Sequence, residues 1–485
     1  MTKLTRRGVL CGAGAALAPF SRVVGANDAV RIAVVGVGST VKIGGKGKAD
    51  ARDFAKIPGV RVVAFCDVDR ANLEPEVRKW RDRGEKVEAY TDVRKLLENR
   101  EIDAVSVTTP NHWHALVTVW ACQAGKDVFV QKPASHTLVE GRRMVEAARK
   151  YNRMVQCPSM SREANGFQEA AEWAWKGNLG RIRYIQGVNY GARTSIGKVA
   201  GPQPIPSTID YDLWSGPAPV LPLRRQFLHY DWHWQWPYGD GDLGNWGIHI
   251  LDGCRMAVRQ AGLPRRVMAL GGRFGYDDDG ETPNSQILYF DYEPAPILFE
   301  LRGLPREKSL LATEWNRNQN QTMDQYCGLR QGTVIHCEGG YVAHNRAFDA
   351  SGALIREFRP TTPNLYANFI DAVRSRKREA LAADILDGHI SVSLIHMANI
   401  SYRVGRTAAR GEIQERIGGR KDLAAAFERF RAHLTANDVD LEKIACGPML
   451  TMDPARERFT GEMSEAANRL LAREYRKPFV VPDKV

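Results

Sequence analysis

The chain has no C-x-x-C pair, and one of its eight cysteines, Cys11, lies within the first 26 residues. The remaining seven (Cys66, Cys122, Cys157, Cys254, Cys327, Cys337 and Cys446) are an odd number, which excludes a complete disulfide framework. They read as small, buried apolar residues. No apolar run reaches membrane-spanning length, so no stable membrane insertion is expected. The formal charge is +12, but the bases form no stripe and accompany no reading motif, which argues against a nucleic-acid partner. Acid is absent from residues 1–26, which hold Lys3, Arg6, Arg7 and Arg22; taking those four from +12 leaves +8.

That acid-free start reads as an address. Thr5-Arg6-Arg7-Gly8-Val9-Leu10 is a twin-arginine pattern, followed by a short apolar stretch and by Val24-Gly25-Ala26, small residues at the positions a signal peptidase reads. The expectation is a twin-arginine signal over 1–26, export in the folded state, and a periplasmic or other extracytoplasmic location. Folding before export would also explain the unpaired cysteines.

The rest of the 485 residues has ordinary globular composition, 44% hydrophobic and 26% charged, and length for two or three domains. Arg31–Val35 predicts a strand, and Gly36-Val37-Gly38 a tight turn that brings backbone close to a pyrophosphate at a helix N-terminus. The dinucleotide fingerprint wants a third glycine at 41, where this chain has Val41; Gly44 and Gly45 come late, in a loop with Lys42, Lys46 and Lys48. A second strand, Val60–Cys66, ends at Asp67. An acid there either accepts hydrogen bonds from the adenosine ribose hydroxyls, favouring NAD over NADP, or caps the following helix.

Strands at 104–107, 127–130 and 154–157 alternate with helices at 115–124 and 139–151. This βαβ alternation implies an α/β fold with a doubly wound parallel sheet, ligands lying at the carboxyl ends of its strands. After residue 158 the pattern is mixed, with strands at 183–188 and 286–290 and helices at 365–375 and 390–404. Residues 193–230 and 407–460 read as loop-rich elaborations.

Three motifs carry a resemblance: Thr109-Pro110-Asn111-His112-Trp113-His114, Lys132-Pro133, and Gly241 to Asp252, which includes Asn245, Gly247 and His249. In order and spacing they resemble the glucose–fructose oxidoreductase and inositol dehydrogenase family, Gfo/Idh/MocA. The resemblance implies an NAD(P)-binding Rossmann domain over 30–158. It also implies a second α+β domain over 159–485, with an open, mostly antiparallel sheet whose face joins subunits into a dimer or tetramer. Substrate, a sugar, sugar derivative or cyclitol, would lie between that sheet and the nicotinamide.

Cofactor contacts are expected from Gly36, Gly38, Asp67, Thr109, Pro110, Asn111, His114, Gln131 and Lys132, and catalysis from Lys132 and His249. A partly desolvated lysine can enter a useful acid–base range, and histidine titrates near neutrality; a lone His249 reads equally as a buried, hydrogen-bonded residue. Asn245, His249 and Asp252 stand at i, i+4 and i+7, so a helix places them on one face toward one pocket, Asn245 and Asp252 contacting substrate. In Tyr230–Tyr238 the aromatic residues either stack on sugar faces, with His233 and Trp234 in the substrate site and Asp231 binding hydroxyls, or anchor a loop. His229, His233, His249 and Asp231 fit no standard zinc spacing, so no metal is expected.

Two positions depart from the family pattern: Gln131 replaces a glutamate before Lys132, and Asn245 an aspartate before His249. Each removes a carboxylate that could pair with Lys132 or polarise His249. Three activities therefore stand side by side: oxidation of a sugar hydroxyl with tightly bound cofactor, NAD-dependent glycoside cleavage by transient oxidation, and sugar binding without catalysis.

Overall fold

The structure, a computed structural model, describes residues 29–39, 44–163, 166–259, 262–312, 314–359 and 364–485. The expected signal at 1–26 and the Val41 position lie outside the described residues.

The first domain runs β1 (Val30–Val35), α1 (Lys46–Ala55), β2 (Val60–Cys66), α2 (Arg70–Arg81), β3 (Glu88–Tyr90), α3 (Val93–Glu98), β4 (Ala104–Val107), α4 (Asn111–Gln123), β5 (Asp127–Val130), α5 (Leu138–Lys150) and β6 (Val155–Gln156). Its sheet has the order β3-β2-β1-β4-β5-β6, parallel throughout. β4 and β5 are buried along their whole length, as strands covered on both faces require. Local chemistry sets the helix starts: Thr137 and Glu140 form a capping box on α5, and Asp69, not Asp67, caps α2. α4 begins at Asn111, earlier than expected, directly after Pro110.

The second domain contains α6 (Met160–Glu163), α7 (Phe167–Trp175), β7 (Ile182–Asn189), α8 (Tyr211–Ser215), a π-helical turn at Leu243–Gly247, α9 (Ile248–Val258), β8 (Arg266–Gly272), β9 (Ser285–Phe290), β10 (Ile297–Arg302), α10 (Gln319–Thr322), β11 (Gln331–Cys337), β12 (Gly340–Ala343), β13 (Arg346–Asp349) and β14 (Leu354–Glu357). It continues through α11 (Leu365–Ser375), α12 (Ile385–Arg403), β15 (Arg406–Thr407), α13 (Arg410–Ile417), α14 (Lys421–Ala436), β16 (Ala445–Cys446), β17 (Leu450–Asp453) and β18 (Arg458–Thr460). The main sheet path is β14-β13-β12-β11-β7-β10-β9-β8-β16-β15, antiparallel except where β10 joins β7.

Period-2 alternation feeds two cores. Leu288, Phe290, Ile297 and Phe299 pack toward α9 and α12, while Ile287, Tyr289 and Leu298 pack toward Phe427 and Phe430 of α14. Residues 407–460 are therefore not loop-rich: α13 and α14 cover the outer face of β8 and β9. The apolar spacing Leu423, Ala426, Phe427, Phe430, Leu434 is the helical signal that the expectation missed.

The boundary after residue 158 follows β6, but later residues complete the first domain. Phe369 of α11 packs its ring 5.5 Å from Phe129, and Phe479 lies 5.4 Å from Trp113.

Candidate functional site

A cavity of about 580 Å³ opens at the carboxyl ends of β1, β2, β4 and β5, where a doubly wound sheet binds its ligands. Gly36 and Gly38 line it, both at φ +88°. A Cβ on Gly36 would stand 2.8 Å from the Thr108 backbone. The third glycine is displaced rather than lost: a Cβ on Gly47, in the first turn of α1, would stand 2.0 Å from the Gly36 carbonyl. Gly47 thus performs the close helix–strand packing that the fingerprint assigns to its last glycine. Among the described residues no side chain caps α1 at Gly45, and Gly44 and Lys46 line the cavity in front of its N-terminus.

Asp67 lines the cavity and accepts from the N–H groups of Val37, at 2.8 Å, and Asp69, at 2.9 Å. These bonds aim its carboxylate across the end of β2. Thr109 also lines the cavity, with its Oγ1 buried and without a partner among the described residues. Pro110 and Asn111 follow it, and Asn111 is tethered by donating to Asp240 at 3.2 Å. The ring nitrogens of His114 lie 2.9 Å from the Thr109 carbonyl and 2.7 Å from that of Pro133. The histidine therefore ties the Thr-Pro loop to the Lys-Pro loop, which explains the spacing of the run. The glycine cradle, uncapped helix start, aimed carboxylate and orphaned hydroxyl together fit a dinucleotide.

At the other end lie Lys132, Asn245, Trp246, His249 and Met160. Lys132 donates from Nζ to the Asn245 carbonyl within the π-helical turn; such turns recur at functional sites. Burial, then the nearby Lys46 charge, lowers the Lys132 ammonium from 10.5 to about 8. Burial likewise holds His249 well below its usual value, with Lys132 adding to the shift.

The carboxylate missing at position 131 is present elsewhere. Gln131 donates from Nε2 to Oδ2 of Asp50 at 2.8 Å, and Asp50, fully buried in α1, also receives Ser106, Tyr366 and Lys46. An amide at 131 suits this arrangement, because a glutamate would set two carboxylates face to face.

Two expected substrate contacts do not line the cavity. Asp252 is buried; it accepts from Ser391 at 2.6 Å, from Ser159, and from Arg162 through Nε at 2.8 Å and Nη2 at 3.0 Å. Those partners hold its carboxyl far below the usual carboxylate range. Asp252 does share a face with His249, but residues 159–162 cover that face, and Met160 donates its backbone N–H to His249 Nδ1 at 3.1 Å. Trp234 is buried beneath Arg193, whose guanidinium lies 4.6 Å from the ring centroid, so it anchors the loop. Asp231 is buried too and accepts from the Phe227 N–H. Tyr230, Trp232 and His233 do line the cavity, so the aromatic run supplies both anchors and walls.

The 193–238 segment covers the end of the cavity beside Asp67 and Asp69. Asp69 and Ile209 form a β-bridge, the Arg70 N–H donates to Thr208 O at 3.1 Å, and Trp113 Nε1 donates to Trp214 O at 3.0 Å. His229 Nε2 lies 2.8 Å from Asp69 Oδ2. Trp214, His229 and Trp232 thereby become cavity walls. Nothing local in this Pro- and Gly-rich stretch indicates where it docks, because its partners Asp69, Arg70 and Trp113 are distant in sequence.

Residues 30–158 match the model of the Gfo/Idh/MocA oxidoreductase family's NAD-binding Rossmann fold, and residues 174–268 match its C-terminal α/β domain. An inositol 2-dehydrogenase of Salmonella typhimurium is 31% identical over 177 residues, 36% of this chain and 51% of that protein. A glycosyl hydrolase family 109 protein of Shewanella pealeana is 30% identical over 131 residues, 26% of this chain and 27% of that protein. The chain thus spans about half the length of the first relative and about a quarter of the second. Among solved structures, the WlbA dehydrogenase of Bordetella pertussis in complex with NADH and UDP-GlcNAcA aligns with TM-score 0.55 at 17% identity, covering 77% of this chain and 96% of that one. The aldose–aldose oxidoreductase of Caulobacter crescentus aligns with TM-score 0.53 at 16% identity, covering 76% and 98%. These two likenesses concern the fold. The two matched stretches thus resemble the Gfo/Idh/MocA oxidoreductases, the first of them that family's NAD-binding Rossmann fold.

Proposed function

We propose that this chain oxidises a secondary hydroxyl of a sugar, sugar derivative or cyclitol, using an NAD that stays resident beneath the 193–238 segment. The observation that carries the reading is one continuous cavity joining the dinucleotide cradle to Lys132, Asn245 and His249. A bound nicotinamide supplies the hydride acceptor. Gly36, Gly38 and the start of α1 would hold the pyrophosphate, and Asp67 the adenosine ribose, which favours NAD over NADP. Lys132, uncharged in part near neutral pH, takes the hydroxyl proton at Nζ while its bond to the Asn245 carbonyl fixes its position. Trp232 and Trp246 wall the cavity.

A covered cofactor needs turnover that restores it in place. Exchange between two sugars does so, and so does glycoside cleavage by transient oxidation. The second reading draws support from the glycosyl hydrolase relative. Export through the Arg6-Arg7 signal, folded and loaded, is part of the proposal, as is a homo-oligomer joined through the open sheet.

The test is turnover by the protein as purified, with sugars and aryl glycosides and no added dinucleotide. Product from a sugar pair supports oxidoreduction. Released aglycone, with solvent deuterium at the carbon next to the oxidised one, supports cleavage. If Lys132→Ala and His249→Ala both keep full turnover, the site assignment is wrong.

A further inference from the structure

Two histidines in this cavity are held by backbone groups of opposite kind. The Met160 N–H donates to His249 Nδ1 at 3.1 Å, so that nitrogen carries the lone pair and Nε2 carries the hydrogen. His233 Nδ1 lies 2.6 Å from the Tyr230 carbonyl, so there Nδ1 carries the hydrogen and Nε2 the lone pair. A peptide N–H never accepts and a carbonyl never donates, so neither ring can exchange its tautomer without breaking its tether.

We infer that the cavity presents two neutral imidazoles in fixed, opposite tautomers, His249 donating from Nε2 and His233 accepting at Nε2, to the hydroxyl groups of a substrate. The inference rests on the reading of the cavity as a hydroxyl-oxidising site and sharpens it. His249 is then not the base. Adding a proton at its Nδ1 would point an N–H at the Met160 N–H, and its Nε2 already carries hydrogen. The charged groups around each ring agree. His249 faces Lys132 and Lys46, with Asp252 already engaged by Arg162. His233 faces Lys132 and Arg193, with Asp240 opposing, and burial takes it down to about 3.

The proton balance follows. In that oxidation a bound nicotinamide would accept the hydride lost from the substrate C–H bond, and the hydroxyl proton goes to Lys132 Nζ. His249 keeps its hydrogen and donates it as a hydrogen bond to a substrate oxygen. His233 Nε2 accepts from another hydroxyl.

The grip on His249 is built from several groups. Ser159 and Arg162 bind Asp252, and Ser161 donates to the His249 carbonyl, so the segment carrying the Met160 N–H is fixed to α9 on both sides. Asp252 is thus a positioning residue acting through residues 159–162.

Long-range ¹H–¹⁵N spectra of histidine-labelled protein, assigned by His249→Gln and His233→Gln, read the tautomers directly. The expected result is a bare Nδ1 at His249 and a bare Nε2 at His233 from pH 6 to 8. An imidazolium or an Nδ1–H form at His249 overturns the inference, whether or not NAD binds. Kinetics give a second readout. Glutamine places an N–H₂ where Nε2 stands, whereas asparagine reaches only the Met160 tether. A donor role predicts that His249→Gln keeps turnover within about tenfold and that His249→Asn loses on the order of a hundredfold. Equal losses in both variants overturn it. If NAD fails to bind while the tautomers are as stated, the functional reading falls and the tautomer assignment stands.

Discussion

In the proposed reaction Lys132 takes the hydroxyl proton, and its charge gives a pH signature. Oxidation needs the free amine, and the ammonium is lowered to about 8. Turnover should therefore fall by about tenfold per pH unit below that value and level off above it. Lys132→Ala should lose on the order of 10²–10⁴ in kcat and abolish that limb, while dinucleotide binding measured by calorimetry persists. Gln131 makes a different prediction. Gln131→Glu would set a second carboxylate beside Asp50, so the variant should be less stable than the parent. The penalty should grow as pH rises above about 4.3, because the fold raises the new carboxyl above its unfolded value. Adding Asp50→Asn should relieve it, as a double-mutant cycle by chemical denaturation would read. A denaturation midpoint for Gln131→Glu equal to the parent's at pH 7 would contradict the account of Asp50. Position 131 was legible as a departure from the family pattern. Its partner was not, since Asp50 lies 81 positions away and becomes a neighbour only when α1 packs on β4 and β5.

At the scale of elements, β2, β4, β5 and α11 occupy the residues their apolar patterns indicated, because each is a short apolar stretch bounded by turn or capping residues. The helix that carries His249 is less legible. Helical spacing places His249 and Asp252 on one face, and they share it; what spacing cannot say is that residues 159–162 cover that face at Asp252. The same blindness hid Gly47, whose role depends on an insert between Gly38 and α1. Arg162→Ala should remove the closest cation from buried Asp252, leaving it Ser159, Ser391 and Arg255 at 3.6 Å, and cost about 1.5–3 kcal/mol by denaturation. Because Asp252 is depressed in the fold, the stability it contributes is present above about 3.9 and is lost as pH falls toward its lower folded value. The Arg162→Ala deficit should accordingly shrink in acid. A change below about 1 kcal/mol at pH 7 would contradict the role given to the Arg162–Asp252 pair.

For the whole molecule, the pairing of a parallel sheet with a mixed, mostly antiparallel one is legible, but α11 and the C-terminal residues fold back onto the first domain, and the 193–238 segment lies over the cleft at its strand ends. Those placements are set by long-range packing, Phe369 on Phe129 and Trp214 against α4, rather than by any local pattern. In the proposed reading they enclose the cofactor, and weakening the cover should release it. Trp214→Ala with His229→Ala should speed dinucleotide dissociation by at least tenfold, on the order of 1.4 kcal/mol, in stopped-flow displacement. The most direct measurement is of the wild-type protein purified from cells, denatured and assayed by mass spectrometry for released nicotinamide dinucleotide. The account predicts stoichiometric NAD or NADH in every preparation, with no NADP. A protein that emerges empty and binds neither NAD nor NADP when they are added would contradict it.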